Sequence, residues 1–188
     1  MLLPILASSK RRASRINCIS NLKQDNLAFR IWEGDNTNQY PMAVSVTNGG
    51  GMELIQAGNL AGCLQLASNE LSTTKILICP ADSDRTFATN WNVLNGSHIS
   101  YFFGVDVSNE SNPNVVLDGD DNLIVGGLPL KSGIGDLSSN SPVSWSEARH
   151  RHVGNIGMAD GSVRQVSSLG LQEALQGTGL ATNRIAIP

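Results

Sequence analysis

The chain has 188 residues, 40% of them hydrophobic, which is enough for one domain with a buried core. Its net charge is −3 and its only basic cluster lies at residues 10–15, which argues against nucleic acid as a partner. Only 5% of the residues are aromatic, which argues against a stacking surface for bases or sugars.

Residues Met1–Trp32 predict one long helix that begins apolar and continues amphipathic. A helix of about 30 residues is about 45 Å long, so we expect one end to project from a domain of this size. Residues at helical spacing form the face that should pack on the rest of the chain: Cys18, Leu22, Phe29 and Trp32. Asp25 falls on the same face, where we expect it to lie at the margin of the contact or to meet a donor. Gly34 and the polar residues 35–38 are expected to end the helix.

The apolar beginning of this helix contains four large aliphatic residues: Leu2, Leu3, Ile5 and Leu6. The run is much shorter than the ~20 residues that cross a bilayer. We therefore expect either a soluble chain or the end of a longer apolar segment that precedes Met1. The basic residues that follow are expected either to meet anionic lipid headgroups or to form a solvated helix face: Lys10, Arg11, Arg12 and Arg15.

The middle of the chain predicts a short helix followed by strands. Asn59–Glu70 places apolar residues on one face of a helix. Lys75–Cys79 is a short apolar run closed by Pro80, which is typical of a buried strand. Ile99–Val105 carries the strongest strand signal in the chain, whereas Gly126–Ser144 is rich in Gly and Ser and predicts an irregular covering loop.

Two hairpins are predicted in the second half. Val115–Leu117 and Asn122–Val125 flank an acidic stretch that resembles a turn. Asp160–Gly161 lies between two alternating apolar runs, which predicts a two-residue type I′ turn with positive φ at both positions. Ser168 is expected to cap a final helix that contains Leu171 and Leu175 and stops at Gly177.

The order of these elements predicts an α+β fold, in which a long N-terminal helix packs against an antiparallel sheet and short helices complete the domain. We divide the chain into the helix, residues 1–34, and a globular head, residues 35–188. Burial of apolar surface explains the arrangement, since the helix face and one face of the sheet both need cover.

Three cysteines occur, and none lies in a CxxC pair: Cys18, Cys63 and Cys79. In an exported protein two of them can pair, and a bond between Cys18 and Cys79 is the favoured pairing because it would tie the long helix to the head. Three buried, reduced thiols are the alternative.

The densest group of oxygen ligands is formed by Asp118, Asp120, Asp121 and Asn122. Calcium takes about 6–8 oxygen ligands in proteins, and this group lacks the EF-hand pattern with its closing Glu. An acidic turn without an ion is the simpler interpretation, and a Ca²⁺ site is the alternative. No other cofactor is expected.

His150, His152 and Asp160 supply two imidazoles and a carboxylate, the minimum for a catalytic metal. However, His150 and His152 would alternate faces in an extended segment, so we do not expect them to converge. The more ordinary role of His150 is a hydrogen bond that fixes the segment leading into the hairpin. The chain also lacks a G-x-S-x-G elbow, a P-loop and a G-x-G-x-x-G turn.

Several segments together resemble type IV pilin-like proteins, and more narrowly the G-type pseudopilins of type II secretion, in the branch with a His-x9-Asp-Gly motif. The matching segments are Leu2–Lys10, Arg15–Gln24, Leu27–Trp32, Ser68–Ser72, Lys75–Asp82, Ile99–Phe102 and His150 with Asp160–Gly161. Proteins of this family begin with a leader, a prepilin processing motif and an apolar membrane segment. The sequence opens where the membrane segment should be ending, so we expect either that these parts precede Met1 in the precursor or that the chain, if native as written, is neither processed by a prepilin peptidase nor held in the membrane. The chain also has Asp25 where the family tends to have an apolar residue.

The resemblance implies a pilin-like fold and a structural function without catalysis. In this family the apolar half of the helix lies in the membrane before assembly and in the filament core afterwards. Its implied partners are other pilin-like subunits and the secretion or pilus assembly machinery. The implied location is the cell envelope, either as an inner-membrane precursor with a periplasmic head or as a surface filament. An extracytoplasmic binding module for Ca²⁺ or glycans is the first alternative, and a metal-dependent hydrolase is the second.

Overall fold

A computed structural model describes residues 3–36 and 38–188, with side chains from Ser8 onward. It has the predicted α+β fold, with one long N-terminal helix and an antiparallel sheet. The apolar positions expected to drive assembly, Leu2, Leu3, Ile5 and Leu6, lie outside the residues whose side chains are described. Within the described ranges, no helix offers a stretch long and apolar enough to cross a membrane.

The longest element is α1, Leu3–Asp35. It ends where the polar run was expected to end it, because Asn38 adopts a φ of 55° and donates its backbone N–H to the Glu33 carbonyl at 3.1 Å. The other α-helices are α2 (Met52–Gln56), α3 (Leu60–Leu66), α4 (Ser68–Leu71) and α5 (Ser168–Gly177). Short 3₁₀ helices span Pro41–Ala43, Val46–Asn48, Thr74–Leu77, Trp91–Val93 and Gly96–His98.

The strands form two antiparallel sheets. They are β1 (Tyr101–Gly104), β2 (Val116–Asp120), β3 (Leu123–Val125), β4 (Leu128–Pro129), β5 (Gly133–Ser138), β6 (Val143–Trp145), β7 (Val153–Met158), β8 (Val163–Ser167) and β9 (Thr182–Ile187). The large sheet has the order β5-β9-β1-β2-β7-β8, and the small sheet has the order β4-β3-β6.

The large sheet separates two apolar clusters. The predicted helix face is buried in the first cluster, which also contains Tyr101, Phe103 and Leu117 of the sheet. The second cluster lies on the opposite face, where Phe102 and Ile156 pack with residues of α5 and of the small sheet. The burial expected for Cys18, Leu22, Phe29 and Trp32 is therefore confirmed.

Two of the predicted elements in the middle of the chain differ from the structure. The strand predicted at Lys75–Cys79 is wrong, because Thr74–Leu77 forms a 3₁₀ helix capped by the Thr73 side chain. A short apolar run fits a buried helical turn as well as a buried strand. The helix predicted at Asn59–Glu70 exists as two helices, α3 and α4, which meet at Ala67.

The irregular loop predicted at Gly126–Ser144 is also wrong, since it contains β4, β5 and the first residues of β6. Strand β5 pairs along its whole length with β9, which the sequence did not indicate. Pairing with a distant strand overrides the weak intrinsic preference of a Gly- and Ser-rich segment.

The hairpin predicted around the acidic stretch is wrong as well. Strand β2 lies inside the large sheet between β1 and β7, whereas β3 pairs with β4 and β6 in the small sheet. The two strands therefore belong to different sheets, and the acidic residues do not form the turn of a hairpin. Asp118 and Asp120 are instead buried residues of β2.

The hairpin at Asp160–Gly161 is present between β7 and β8, but its turn differs from the predicted type I′. Gly161 has a φ of 82°, while Asp160 is not among the residues with positive φ. Gly161 donates its N–H to the Met158 carbonyl at 2.9 Å, and Met158 donates to the Ser162 carbonyl at 2.8 Å. These bonds define a three-residue loop, a type I turn followed by a left-handed glycine.

The cap of the final helix is displaced by one residue from its predicted position. Ser167, rather than Ser168, accepts the backbone N–H of Gly170 with its side chain. The helix then runs to Gly177 with Leu171 and Leu175 buried, as expected.

Candidate functional site

A buried polar cluster lies between α1 and the large sheet. In the sheet, Tyr101 pairs with Asp120 and Phe103 pairs with Asp118, so these four side chains point to the same face. Tyr101 and Phe103 belong to the apolar cluster under α1. The register therefore directs both carboxyl groups of β2 towards the long helix.

Helix α1 supplies two polar side chains to the same interface, Asp25 and Asn26, and both are fully buried. With its amide oriented to suit its neighbours, Asn26 donates a hydrogen bond to Oδ2 of Asp118 at 2.8 Å. A Cβ atom at Gly157 would collide with Asp118 Oδ1, so the absence of a side chain at this position of β7 makes room for the carboxyl group.

Asp25 has no hydrogen-bond partner for either carboxyl oxygen among the residues that the structure describes. Burial raises the pKa of Asp25 well above its usual range, and the charge of Asp118 raises it further. Burial likewise raises the pKa of Asp118, with a contribution from Asp120. Both carboxyl groups therefore favour their neutral forms, because a charge in this interface would lack solvent and a cation.

Asp120 lies at the end of β2 and is held by Asn155 of β7. Its Oδ2 accepts hydrogen bonds from the Asn155 backbone N–H at 2.7 Å and from the side-chain amide at 2.9 Å. Its Oδ1 is buried and has no partner within the described part of the chain. Burial is the main cause that raises the pKa of Asp120 to about 7, against the lowering effect of the Asn155 hydrogen bonds.

His150 is buried beside Asp120 and Cys79. Its Nε2 lies 3.4 Å from Cys79 Sγ and 3.6 Å from Asp120 Oδ2. Burial and the charges of Arg15 and Arg149 lower the pKa of His150 to about 4. The imidazole is therefore neutral at neutral pH, and its contact with Asp120 is not an ion pair.

Cys18 of α1 and Cys79 are joined by a disulfide, with their Cα atoms 5.1 Å apart. This is the pairing favoured from the sequence. Cys63 is a free thiol elsewhere in the core, and burial raises its pKa to about 12. The donor atoms of Cys18, Cys79, Asp120 and His150 all lie within 4.8 Å of one another, so the disulfide is part of a potential metal-binding group.

This arrangement does not match a nucleophile relay. A Cys-His-Asp relay uses both imidazole nitrogens, one for the nucleophile and one for the carboxylate. Here both contacts involve Nε2, and Cys79 Sγ is already bonded to another sulfur. The sulfur, imidazole and carboxylate donors of this group are instead those that suit a metal ion.

A second charged cluster lies nearer the surface, beside the buried one. Arg149 pairs with Asp82 at 2.8 Å and also with Asp121, and Arg85 pairs with Asp121 at 2.6 Å. Arg149 also donates to the Ser100 carbonyl at 2.6 Å. These bonds connect four separate segments of the chain around one arginine.

The four residues proposed as a Ca²⁺ site therefore have other partners. Asp118 and Asp120 point into the interface with α1, whereas Asp121 is paired with two guanidinium groups. The Asn122 side-chain amide donates to the carbonyls of Ser146 and Ala148. Calcium coordination by this set is not supported, because arginines already neutralise the most accessible of its carboxylates.

The three residues weighed as a catalytic metal site are not brought together either. His150 is buried, while His152 is exposed and contacts the Trp145 carbonyl through Nδ1 at 3.3 Å. Asp160 is exposed in its turn, where Oδ1 accepts the Ser162 N–H at 2.8 Å. The segment that holds the histidines is not extended as expected, since Arg149, Arg151 and His152 all have positive φ.

The sequence did contain a signal for this buried cluster. In a strand at 115–120, Asp118 and Asp120 share one face, as Asp25 shares the apolar face of α1. Asp and Gly are also favoured in turns, and this competing preference is why the local sequence predicts a turn at these residues. The proximity of His150 to Cys79 depends on long-range packing and has no local signal.

Comparison with protein-family profiles, curated proteins and solved structures finds no significant match to this chain.

Proposed function

We propose that the chain is a pilin-like structural subunit that assembles through its N-terminal helix in the bacterial cell envelope. The observation that carries this proposal is the division of α1 into two parts. Residues 8–13 are exposed, whereas the helix is buried against the head at Cys18, Leu22 and Phe29. The first part of α1 thus extends beyond the cover of the head, where other subunits can contact it.

The outward face of α1 gives a second reason. Ile16 is 58% exposed and Leu27 is 57% exposed, with Ile31 one turn further along the same face. A groove of about 580 Å³ opens beside Leu27 and Ile31, and Arg30 and Glu110 line it. Large apolar side chains on one helix face are suited to burial by a neighbouring subunit.

The expected partners are further copies of this chain or related pilin-like subunits, together with the machinery that assembles them. The basic residues of the exposed part, Lys10, Arg11 and Arg12, lie where an anionic membrane surface would meet a precursor anchored by a preceding apolar segment. The function is then structural, and the buried cluster positions α1 on the head rather than performing a reaction.

Site-directed cross-linking in cells that express the full-length gene tests this proposal. Ile16→Glu and Leu27→Glu each place a charge on the outward face, so we expect multimers and sheared filaments to decrease strongly. Leu128→Glu is the matched control, because Leu128 is 72% exposed but lies on β4 of the head. Equal amounts of multimer in all three variants and the wild type would contradict assembly through this face.

A further inference from the structure

Four potential metal ligands converge under α1 from four separate segments of the chain. Cys18 belongs to α1, Cys79 follows a 3₁₀ helix, Asp120 ends β2 and His150 precedes β7. All four residues are buried. Such a combination of two sulfurs, one imidazole and one carboxylate suits Zn²⁺, which favours tetrahedral sites with these donors.

Two distances between the donor atoms agree with the edges of a zinc tetrahedron. Bond lengths of about 2.3 Å to sulfur and about 2.0–2.1 Å to nitrogen or oxygen place neighbouring donors roughly 3.3–3.8 Å apart, with the sulfur–sulfur edge the longest. Nε2 of His150 is 3.4 Å from Cys79 Sγ and 3.6 Å from Asp120 Oδ2. Both distances from His150 thus match a tetrahedral edge, and all four donor atoms lie within 4.8 Å of one another. Opening the disulfide would allow Cys18 to reach the fourth vertex.

The surroundings of these donors also suit a metal. Oδ2 of Asp120, the oxygen near His150, already accepts two hydrogen bonds, whereas Oδ1 of the same carboxyl group is fully buried, has no partner in the described ranges and so has free lone pairs for a metal. Asn155 fixes the orientation of the same carboxyl group through two hydrogen bonds to Oδ2, as outer residues of metal sites do. Two thiolates and a carboxylate around Zn²⁺ leave one surplus negative charge, and Arg15 and Arg149 are close enough to influence His150 electrostatically.

We propose that the reduced chain binds one Zn²⁺ through Cys18, Cys79, Asp120 and His150, so that the disulfide and the metal are alternative states of one site. A dithiol reductant supplies the two electrons that break the Sγ–Sγ bond, and two protons convert the sulfurs to thiols while the reductant forms its own disulfide. Binding of Zn²⁺ then releases both thiol protons. A disulfide oxidant then accepts two electrons from the two thiolates, which re-forms the Sγ–Sγ bond and releases Zn²⁺, while the oxidant takes up two protons and becomes two thiols.

This exchange keeps α1 attached to the head in both redox states. A covalent bond joins Cys18 to Cys79 under oxidising conditions, and a shared metal ion joins them under reducing conditions. The inference is independent of the proposed assembly function, because it concerns only how the helix is fixed to its own head.

Metal titration of the reduced 188-residue chain tests the inference. The protein is reduced with dithiothreitol, separated from the reductant under nitrogen and titrated with Co²⁺, followed by Zn²⁺. We expect one Co²⁺ per chain, with the intense visible bands of tetrahedral cobalt and the charge-transfer bands of thiolate ligands. Zn²⁺ should then displace it, and the oxidised chain should bind neither ion.

Variants distinguish the proposed site from cysteine binding alone. His150→Gln and Asp120→Asn each remove one ligand, and we expect each to weaken Zn²⁺ binding at least about tenfold, the loss that even a supporting residue of a metal site produces. His152→Gln is the matched control, since that imidazole is exposed and lies near the Trp145 carbonyl. Cys63→Ser should also leave the stoichiometry unchanged.

Folding of each variant is checked by circular dichroism of its oxidised form, which keeps the disulfide. Absence of metal binding by the reduced wild type would overturn the inference. A cobalt spectrum and affinity that neither His150→Gln nor Asp120→Asn changes would also overturn it, because binding would then involve the two cysteines without the proposed partners.

Discussion

Asn26 of α1 donates a hydrogen bond to Asp118 of β2 at 2.8 Å, inside an interface that is otherwise largely apolar. A shift of the helix by one residue would place Asp25 or Leu27 near this carboxyl group instead. The bond therefore favours one rotation of α1 about its axis and one position of α1 along that axis. The neighbouring Asp25 lowers the stability of the same interface, since its buried carboxyl group has no hydrogen-bond donor among the described residues.

The unpartnered carboxyl group of Asp25 should make stability depend on pH. Its pKa is higher in the folded chain than in the unfolded chain, mainly because of burial. The folded chain therefore binds this proton more tightly. The contribution to stability is complete below the ordinary carboxyl pKa near 4 and decreases as pH rises, by up to about 1.4 kcal/mol per pH unit.

We expect Asp25→Asn to be more stable than the wild type at about pH 8 and to approach it as the pH falls to about 4. Asp118, Asp120 and His150 titrate in both proteins. The difference in the free energy of unfolding between the variant and the wild type therefore reports on Asp25. Urea unfolding across this pH range measures the difference. Asp35→Asn, at an exposed position of the same helix, is the control. A difference from the wild type that is constant with pH would show that Asp25 does not titrate as expected.

The disulfide should account for a large part of the stability of the head. Cys18 and Cys79 are 61 residues apart in sequence. Closing a loop of this length stabilises a protein by about 4 kcal/mol in the chain-entropy account. We expect Cys18→Ala/Cys79→Ala to lose about that amount in urea unfolding with a metal chelator present. Reductant should lower the unfolding midpoint of the wild type and leave that of the double variant unchanged. Equal midpoints of the wild type with and without reductant would refute a stabilising role of the disulfide.

Arg149 should be the most sensitive position of the charged cluster. Its guanidinium group pairs with Asp82 and Asp121, and all three side chains are nearly inaccessible to solvent. Removing one partner of a buried pair costs about 3–5 kcal/mol because the other charge remains buried. We expect Arg149→Met to cost about 3 kcal/mol, the lower end of that range, since Arg85 still pairs with both carboxylates.

Arg151→Met is the control for this prediction, because Arg151 is exposed and shares the positive φ of Arg149. Thermal and urea unfolding of both variants give the comparison. Adding Asp121→Asn to Arg149→Met should recover part of the loss, since it removes one uncompensated charge. Similar losses in Arg149→Met and Arg151→Met would mean that the ion pairs contribute little.

Local patterns were sufficient to predict several parts of the fold. The buried face of α1 follows from helical spacing, and the strand at β1 follows from a run of large apolar residues. The hairpin of β7 and β8 follows from Asp160–Gly161. In each case the sequence pattern lies within the residues whose structure it predicts.

The candidate site could not be predicted in this way. Asp118 and Asp120 are placed by the pairing of β2 with β1 and β7, and that pairing joins segments far apart in the chain. Strand β5 similarly depends on β9 for its structure. His150 lies near Cys79 and Asp120 only because of such long-range contacts, so no spacing in the sequence indicates these distances.

The turn at Gly161 offers a sharp test of backbone strain. Gly161 has a φ of 82°, whereas Gly177 at the end of α5 does not have positive φ, and an added Cβ there would meet nothing within 4 Å. We expect Gly161→Ala to lose about 1–2 kcal/mol, because an L side chain is strained in the left-handed region. Gly177→Ala should be neutral or slightly stabilising, since alanine favours the helix.

Asparagine at position 161 should recover part of this loss, because Asn tolerates left-handed backbone better than Ala does. Thermal unfolding measures the series, in which a loss of 1 kcal/mol corresponds to about 2–4 °C for a chain of this size. Asp160→Ala should separately cost about 1 kcal/mol through the lost hydrogen bond from the Ser162 N–H. Equal melting temperatures for Gly161→Ala and Gly177→Ala would contradict the strained turn. An added Cβ at Gly161 would also lie 3.1 Å from a guanidinium nitrogen of Arg30, but this is the end of a flexible, exposed side chain that can move aside.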